Sequence, residues 1–315
     1  MLKFRKRWYT RLMDRYRFSD RHMPGLPLAI RLSFRTLFCL ERARIAVLYP
    51  TRASRARAWH SIAEHDIFFG LGLYRSGTSF LAALLSEHYP HVATKHEANV
   101  FDYLAYTSAL RQPGTASKYL ARYRLPELHK RLSRTKTMRY GEVNPFLRRH
   151  AAAIRELLPN VRLFTIVADG RRVVRSLMAR EFFRPYDPMA PLVRPPDNDP
   201  FRAQWHTMTR FEKVCWMWAT DNAFLLMHAP HVVRLEDLVT DYDYFTTNVT
   251  EYLGLPPLPP DTWFAATQAQ VNRTPVDAAK KQMQWGSREK EAFEAFCGAM
   301  QERLGYSDRI SFDGR

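Results

Sequence analysis

Small and hydroxyl-bearing residues and one long cation occur together in the segment from Phe68 to Leu85. The segment begins as an apolar run, passes through Arg75, Ser76 and Gly77, and continues as an alanine- and leucine-rich stretch. This order predicts a strand, a tight turn and a helix. The backbone amides of such a turn point into one concavity, and the positive end of the helix dipole adds to their field. The segment therefore predicts a site for a phosphate or sulfate group; a glycine-containing turn without a ligand is the simpler alternative.

The position of the cation separates this turn from a nucleoside triphosphate loop. Gly72 and Gly77 have the separation of a Walker A loop, but Thr78 stands where that loop has its lysine. Tyr74 to Leu81, with its cation at the start, resembles the 5'-phosphosulfate loop of sulfotransferases. The resemblance implies that the donor's phosphosulfate is held by these residues: Arg75, Ser76, Gly77, Thr78, Ser79 and Phe80.

A second strand, turn and helix are predicted further along the chain. Val161 to Val167 is an apolar run typical of a buried parallel strand. The residues that follow, Ala168 to Leu177, resemble the 3'-phosphate motif of the same family, in which a serine lies eight positions after an arginine. Ser176 matches the serine, and Ala168 stands in place of the arginine.

The missing arginine has an energetic consequence for the 3'-phosphate site. A charge-assisted contact to phosphate contributes about 1.5 to 3 kcal/mol, or roughly tenfold to a hundredfold in affinity. Replacement charge is available close by in sequence and in the C-terminal part of the chain. The predicted 3'-phosphate site therefore contains Ser176, Arg171, Arg172, Lys280 and Lys281.

Two adjacent residues beyond the loop are candidates for the general base. In sulfotransferases that act on glycans or protein tyrosines, a glutamate at the distance of Glu97 has this role, and the spacing from Glu97 to Asp102 resembles the glycan branch. His96 is the second candidate, because another branch of the family uses histidine. Adjacent residues generally point in different directions, so we expect only one of the pair to face the reacting centre. A glutamate that only begins a helix is the alternative.

A third family segment lies between the two nucleotide motifs. Thr137 to Phe146 resembles a Glu-Lys-Thr-Pro-aromatic pattern, with Val143 in place of the lysine that helps to stabilise the transferring group in relatives. Cations near this position in the sequence could substitute for it: Arg139, Arg148 and Arg149.

Later segments complete the resemblance. His231 to Val239 and Tyr252 to Pro256 are similar to scaffold segments of the family, and a last helix is predicted from about Arg288 to Leu304. Five segments in the family's order imply an α/β, three-layer P-loop-like fold with a central parallel sheet flanked by helices. They also imply the donor 3'-phosphoadenosine 5'-phosphosulfate and a nucleotide-binding transferase that needs no metal.

Length and composition indicate one large domain with an appendage. We expect a basic helical extension over residues 1–65 and the sulfotransferase domain over residues 66–315. Phe211 to His228 should form a helix with Trp216 and Trp218 in the core. Three widely spaced cysteines predict neither a disulfide framework nor a zinc site and suggest a reducing compartment. Without a signal peptide or an uninterrupted apolar span, the chain is expected in the cytoplasm.

The net charge of +17 is concentrated in two regions. Residues 1–60 carry fifteen Lys and Arg against three carboxylates, and residues 111–149 carry eleven against two. The second region predicts an anionic acceptor, such as an acidic or sulfated glycan or a glycolipid, with a solvated basic surface as the alternative. Met1 to Phe18 either contacts an anionic membrane as a peripheral arm or is solvated; nucleic-acid binding by this arm is the weaker hypothesis.

Two functions of other classes remain open from the sequence. Val143 and Ala168 are compatible with a relative that binds a nucleotide or glycan without catalysis. A P-loop kinase is the weaker alternative, because Thr78 replaces the Walker lysine.

Overall fold

The computed structural model describes residues 26–99, 101–134, 138–180, 182–184, 190–268 and 285–307. Its centre is a five-stranded sheet in the order β2-β3-β1-β4-β5, and every neighbouring pair is parallel. This confirms the predicted α/β fold with a central parallel sheet. The strands are β1 Asp66–Gly72, β2 Ala93–His96, β3 Arg139–Val143, β4 Arg162–Val167 and β5 His231–Arg234.

Helices cover both faces of this sheet. The α-helices of the described residues are α1 Leu26–Leu48, α2 Arg52–Ala63, α3 Thr78–His88, α4 Asp102–Arg111, α5 Gly114–Tyr119, α6 Leu125–Leu132, α7 Ala151–Leu157, α8 Gly170–Met178, α9 Arg210–His228, α10 Leu235–Thr240, α11 Tyr242–Phe245, α12 Pro260–Gln268 and α13 Ser287–Arg303. Single π-helical segments join α5 to α6 at Leu120–Arg124 and follow α11 at Thr246–Glu251. Short 3-10 helices lie at Pro145–His150 and Ala190–Leu192.

Strand β1 is buried on both of its faces, which explains its continuous apolar sequence. Phe68 packs in a core cluster with Leu81 of α3, whereas its neighbour Phe69 packs in a second cluster on the opposite face of the sheet. Ile45 of α1 and Ile62 of α2 are buried in that second cluster. These two helices therefore share a core with the sheet, while the proposed boundary at residue 65 stays a prediction.

A third core cluster surrounds α8, α9 and α13. Trp216 and Trp218 are buried there, as expected for the helix predicted from Phe211 to His228. Cys215 and Cys297 are buried in the same cluster as free thiols, and Cys39 is exposed and also free. Within the described ranges, none of the helices combines the length and apolar character that crossing a bilayer requires.

The connection between α4 and α5 is a tight turn that contains a proline. Gly114 is the first residue of α5, and Pro113 precedes it in helical conformation. Proline tolerates this place because a helix leaves its first amides without internal partners. The N-terminal arm from Met1 to Phe18 lies outside the described residues.

Candidate nucleotide and transfer site

The loop between β1 and α3 has the backbone of an anion-binding turn. Arg75 and Gly77 have positive φ angles of 71° and 89°, so the chain reverses sharply before α3 begins at Thr78. Gly77 caps α3 without a side-chain hydrogen bond to its first amides. A Cβ atom at Gly77 would lie 2.5 Å from Leu235 Cδ1. Glycine is therefore required here both for its φ angle and for the close packing of α10.

A buried hydroxyl in this loop fits an anionic ligand. Ser76 is fully buried, and its Oγ has no hydrogen-bond partner within the described part of the chain. A buried polar group without a partner costs free energy, and a phosphate or sulfate oxygen accepts a hydrogen bond well. Together with the uncapped start of α3, this hydroxyl fits the phosphosulfate end of the donor implied by the sequence.

The two predicted nucleotide motifs meet directly. Arg75 Nε donates a hydrogen bond of 2.7 Å to Ser176 Oγ, although the residues are 101 positions apart in the chain. The contact arises because β1 and β4 are neighbouring parallel strands, so the loop after β1 and helix α8 after β4 leave the same edge of the sheet. Ligands of open parallel sheets bind at this edge.

A second arginine lies close to this contact, and sequence reasoning missed it. Burial lowers the pKa of the Arg75 guanidinium, and the nearby Arg180 cation lowers it further. Arg180 follows Ser176 by four positions and lies just beyond the end of α8, and its closeness to the matched serine in the sequence is the signal that could have found it. Two cations near each other attract an anion that relieves their repulsion.

His96 contacts the loop and Glu97 lies beside His96, while the expectation that only one of them faces the reacting centre stays a prediction. His96 Nε2 is 3.4 Å from Thr78 Oγ1 and 3.4 Å from Ser79 Oγ, and 4.0 Å from Glu97 Oε1. Strand alternation does not separate the two side chains, because Glu97 has a φ of 46°, so β2 ends in a left-handed residue that brings them together. His96 is therefore the candidate base that touches the loop hydroxyls, and Glu97 is its immediate neighbour.

Comparison with known proteins agrees with this geometry. A family model described as "Sulfotransferase family" matches residues 67–260, which is more than half of the chain. The chain belongs to the sulfotransferase family. A search of curated proteins found no match to it.

Arg171 has a structural position in this sulfotransferase, which differs from the expectation that it offers its charge to the nucleotide. Its guanidinium is buried, donates to both carboxylate oxygens of Asp169, and donates from Nη2 to the Tyr306 carbonyl. Asp169 also caps α8 through the Arg171 amide and accepts a hydrogen bond from Gln301. The Asp-Gly-Arg segment therefore fixes the start of α8 against the C-terminal helix.

The other predicted 3'-phosphate residues occupy different surroundings. Arg172 is exposed and forms an ion pair with Glu236 at 2.9 Å. Ala168, which replaces the family's arginine, is buried in the core cluster around α8. Lys280 and Lys281 lie outside the described residues.

The position of the missing lysine is apolar and enclosed. Val143, the last residue of β3, is fully buried with Phe68 and Leu81 on the α3 side of the sheet. Arg148 and Arg149 do not substitute for a cation there, because both donate to Asp221 at 2.5 Å. Both lie in or beside the core, and Arg148 also stacks on the Tyr106 ring at 3.7 Å.

Arg139 is excluded as a substitute by its place in the sheet. It is the first residue of β3 and pairs with Asp66, the first residue of β1, at 2.7 Å. In a parallel sheet these strand starts lie at the edge opposite the loop. The enzyme family's lysine therefore has no replacement among the three arginines that the sequence suggested.

A buried ionic network supports the site from behind β3. Arg124 is almost fully buried and donates to Asp102 at 3.2 Å and to Glu142 at 2.5 Å. Burial would raise the pKa of Glu142, but Arg124 and hydrogen bonds from Asn144 and Tyr140 outweigh it and lower that pKa. Burial raises the pKa of Asp102 to about 6 against the effect of Arg124. The Asp102 that follows Glu97 is thus a structural group that anchors α4.

Half-buried aromatic rings lie beside the loop. Tyr74 precedes Arg75 and packs edge-on against Phe146 at 5.3 Å, and it contacts Phe182 at 5.8 Å. Phe146 also packs edge-on against Tyr103 of α4 at 5.3 Å. Burial raises the pKa of the Tyr74 hydroxyl, and the Glu97 carboxylate adds a smaller contribution in the same direction. The candidate bases therefore adjoin an aromatic surface.

The basic stretch over residues 111–149 is less exposed than its charge count suggested. Arg124, Arg131 and Arg139 pair with carboxylates, as do Arg148 and Arg149. Some of these carboxylates come from outside the stretch, which a count along the sequence cannot register. No cluster of three or more metal-ligating side chains occurs within the described ranges.

Proposed function

We propose that this protein transfers a sulfuryl group from 3'-phosphoadenosine 5'-phosphosulfate to a hydroxyl group of a glycan or glycolipid. The observation that carries the proposal is the hydrogen bond between Arg75 and Ser176. It joins the segment that resembles a phosphosulfate loop to the segment that resembles a 3'-phosphate motif. A donor with phosphates at both positions of its ribose matches a site made of two such segments.

The residues at this edge of the sheet suit the two ends of the donor. The amides and hydroxyls of Ser76 to Phe80, with Arg75, would hold the phosphosulfate, and Ser176 with Arg180 would hold the 3'-phosphate. When bound, the donor supplies the sulfuryl group and a phosphate leaving group. The loop's part is electrostatic, because fixed amides and a cation stabilise the charge that develops on the leaving oxygens.

The acceptor hydroxyl requires a base, and Glu97 is the first candidate. A carboxylate oxygen of Glu97 would accept the hydroxyl proton, and His96 would hold the loop hydroxyls of Thr78 and Ser79 in place. The 4.0 Å separation of His96 Nε2 from Glu97 Oε1 supports a joint role for the pair. If the two roles are exchanged, His96 would accept the hydroxyl proton and Glu97 would orient the His96 ring.

The surroundings of the pair favour a ring-shaped acceptor. Tyr74, Tyr103 and Phe146 are half-buried aromatic residues beside the loop, and apolar faces of sugar rings pack well on aromatic side chains. The remaining cations of the 111–149 stretch keep an anionic glycan as the proposed acceptor. Their number is smaller than the sequence implied, so moderate rather than steep salt dependence is expected.

A second candidate function is nucleotide or glycan binding without catalysis. It is favoured by the buried apolar side chains of Val143 and Ala168 at positions where relatives carry cations, with no substitute among Arg139, Arg148 and Arg149. The kinase alternative has no such support, because Thr78 opens α3 where a Walker loop needs its lysine.

A transfer assay separates these functions. Donor carrying radiolabelled sulfate is incubated with a panel of neutral, uronic-acid and sulfated glycans, a tyrosine peptide and a small phenol. The proposal predicts label on glycans, and a loss of at least a hundredfold for Glu97→Gln with donor affinity retained. The matched variant Glu87→Gln, on the exposed end of α3, should behave as wild type. Donor binding without label on any acceptor would favour the non-catalytic candidate.

A further inference from the structure

Helix α1 exposes an apolar face on the side opposite the one it buries. Its buried side chains Glu41 and Ile45 face the core, whereas Leu32, Leu40 and Val47 are 54%, 54% and 78% exposed. At 100° per residue these three positions fall on one side of the helix. We call this side the outer face of α1, and it consists of Leu32, Thr36, Cys39, Leu40, Ala43, Ala46 and Val47.

This concentration of exposed apolar side chains is unusual for the molecule. Seven large apolar residues are exposed in the described part of the chain, and three of them lie on the outer face of α1: Leu32, Leu40 and Val47. Scattered exposed apolar residues need no explanation, but a contiguous patch marks an interaction surface.

A cationic cavity borders the outer face. It has a volume of about 510 Å³ and shares Cys39, Ala43 and Ala46 with that face. Its remaining lining residues are Arg42, Tyr49, Arg55 and Arg122, so among the described residues three guanidinium groups and no carboxylate line it.

Within the described residues, none of the three arginines that line this cavity forms an ion pair with a carboxylate. Arg55 donates from Nη1 to the Tyr49 carbonyl at 2.9 Å, and the Arg42 guanidinium lies 5.7 Å from the centre of the Phe38 ring. The neighbouring carboxylate of Glu41 is buried and binds Arg44 at 2.8 Å. Arg52 and Arg57 of α2 add further exposed positive charge to the same helical layer.

We propose that the outer face of α1 and its arginine-lined cavity dock on an anionic lipid bilayer. Apolar side chains of an interfacial helix enter the boundary between headgroups and acyl chains, and flanking arginines bind lipid phosphates. In this arrangement Leu40 and Val47 face the bilayer, and the cavity of Arg42, Arg55 and Arg122 receives a phosphate headgroup.

The positive charge of the cavity favours an anionic bilayer over two other occupants, the N-terminal segment and a second copy of the chain. Residues 1–25 of the chain carry eight Lys and Arg against Asp14 and Asp20, and this positive net charge makes them a poor match for an arginine-lined cavity. A second copy of the chain, docked by the same face, would bring the arginines of both copies together. An anionic bilayer is attracted by the cavity and by the N-terminal segment alike.

The exposed Cys39 allows a direct test, because the other two cysteines are buried. An environment-sensitive fluorophore on Cys39 of the full chain is mixed with vesicles of phosphatidylcholine, with or without phosphatidylglycerol. We expect a blue shift and co-sedimentation with the anionic vesicles alone. The variants Leu40→Ser/Val47→Ser and Arg42→Gln/Arg122→Gln should each lower vesicle affinity at least tenfold.

Matched variants control for general effects. Met227→Ser/Phe264→Ser removes exposed apolar side chains elsewhere, and Arg155→Gln/Arg303→Gln removes exposed charge elsewhere; both should bind as wild type. If Leu40→Ser/Val47→Ser loses its circular dichroism spectrum, Leu40→Ala/Val47→Ala replaces it. Equal binding by test and control variants, or an unshifted fluorophore, would overturn the proposal. Protection of Cys39 in a dimer without vesicles would overturn it in favour of a second copy.

Discussion

The Arg75 Nε and Ser176 Oγ atoms lie 2.7 Å apart and join the loop after β1 to helix α8 after β4. This contact places the cation of one predicted nucleotide motif on the matched serine of the other. Because Ala168 removes the family's arginine from the second motif, we expect Arg75 and its neighbour Arg180 to supply positive charge to both halves. We therefore expect the donor affinity of this sulfotransferase to depend more strongly on the loop after β1 than it does in relatives that have both motifs complete.

Gly77→Ala should weaken donor binding by about tenfold or more. The substitution forces an L-residue into the left-handed region, at a cost of about 1 to 2 kcal/mol, and places a Cβ 2.5 Å from Leu235 Cδ1. The double variant Gly77→Ala/Leu235→Ala should regain the part of the donor affinity that is lost through crowding between the new Cβ and the Leu235 side chain. Titration calorimetry measures both effects. Gly114→Ala is the control, since nothing lies within 4 Å of a Cβ there; equal affinities for the Gly77 and Gly114 variants would show that the loop backbone does not form the site.

Arg124→Met should destabilise the fold by about 3 to 5 kcal/mol, because it leaves Asp102 and Glu142 buried without their cation. The free energy of unfolding in urea measures this loss. Arg155→Met, at an exposed position of α7, should change the same quantity by less than about 0.5 kcal/mol. A loss below about 1 kcal/mol for Arg124→Met would mean that the network does not hold α4 against β3.

His150→Leu should make the fold less sensitive to acid. Burial, assisted by Arg124 and Arg148, lowers the pKa of His150 to about 3. Between about pH 6.5 and 3 the unfolded chain therefore binds a proton that the folded chain does not. Acidification through this window lowers the unfolding free energy of the wild type by up to about 1.4 kcal/mol per pH unit.

Urea unfolding at pH 7 and pH 5 measures the difference. Asp102, whose pKa is raised to about 6, contributes the opposite slope, since its folded form keeps a proton that the unfolded chain has lost. That contribution is common to wild type and variant and cancels in the comparison. Identical pH slopes for the two proteins would show that His150 does not titrate as its burial implies.

Much of the fold follows from local patterns in the sequence. The apolar runs predict β1 and β4, the Tyr89–Pro90 pair marks the end of α3, and Gly254 ends the helical segment before it with a φ of 63°. The tight turn from Arg75 to Gly77 is also predictable, because glycine and small hydroxyl residues are typical of a turn that leads into a helix.

The roles of the arginines are not readable in this way. Arg148 is held by Asp221 and Arg139 by Asp66, each partner being 73 positions away. A sequence shows that a cation is present, but whether its guanidinium reaches a ligand or a buried carboxylate depends on such distant pairings. The 4.0 Å approach of the His96 and Glu97 side chains has a local cause that the sequence does not show, the left-handed backbone of a non-glycine residue.

Whether the loop after β1 and helix α8 form one donor site can be tested by comparing the binding of 3'-phosphoadenosine 5'-phosphate with that of adenosine 5'-phosphate. If the loop and α8 form one site, the wild type should prefer the bisphosphate by about tenfold to a hundredfold, and Ser176→Ala should lose most of that preference. Ser133→Ala, at an exposed serine after α6, should keep it. Equal affinity of the wild type for both nucleotides would show that the loop and α8 do not form one site for the donor.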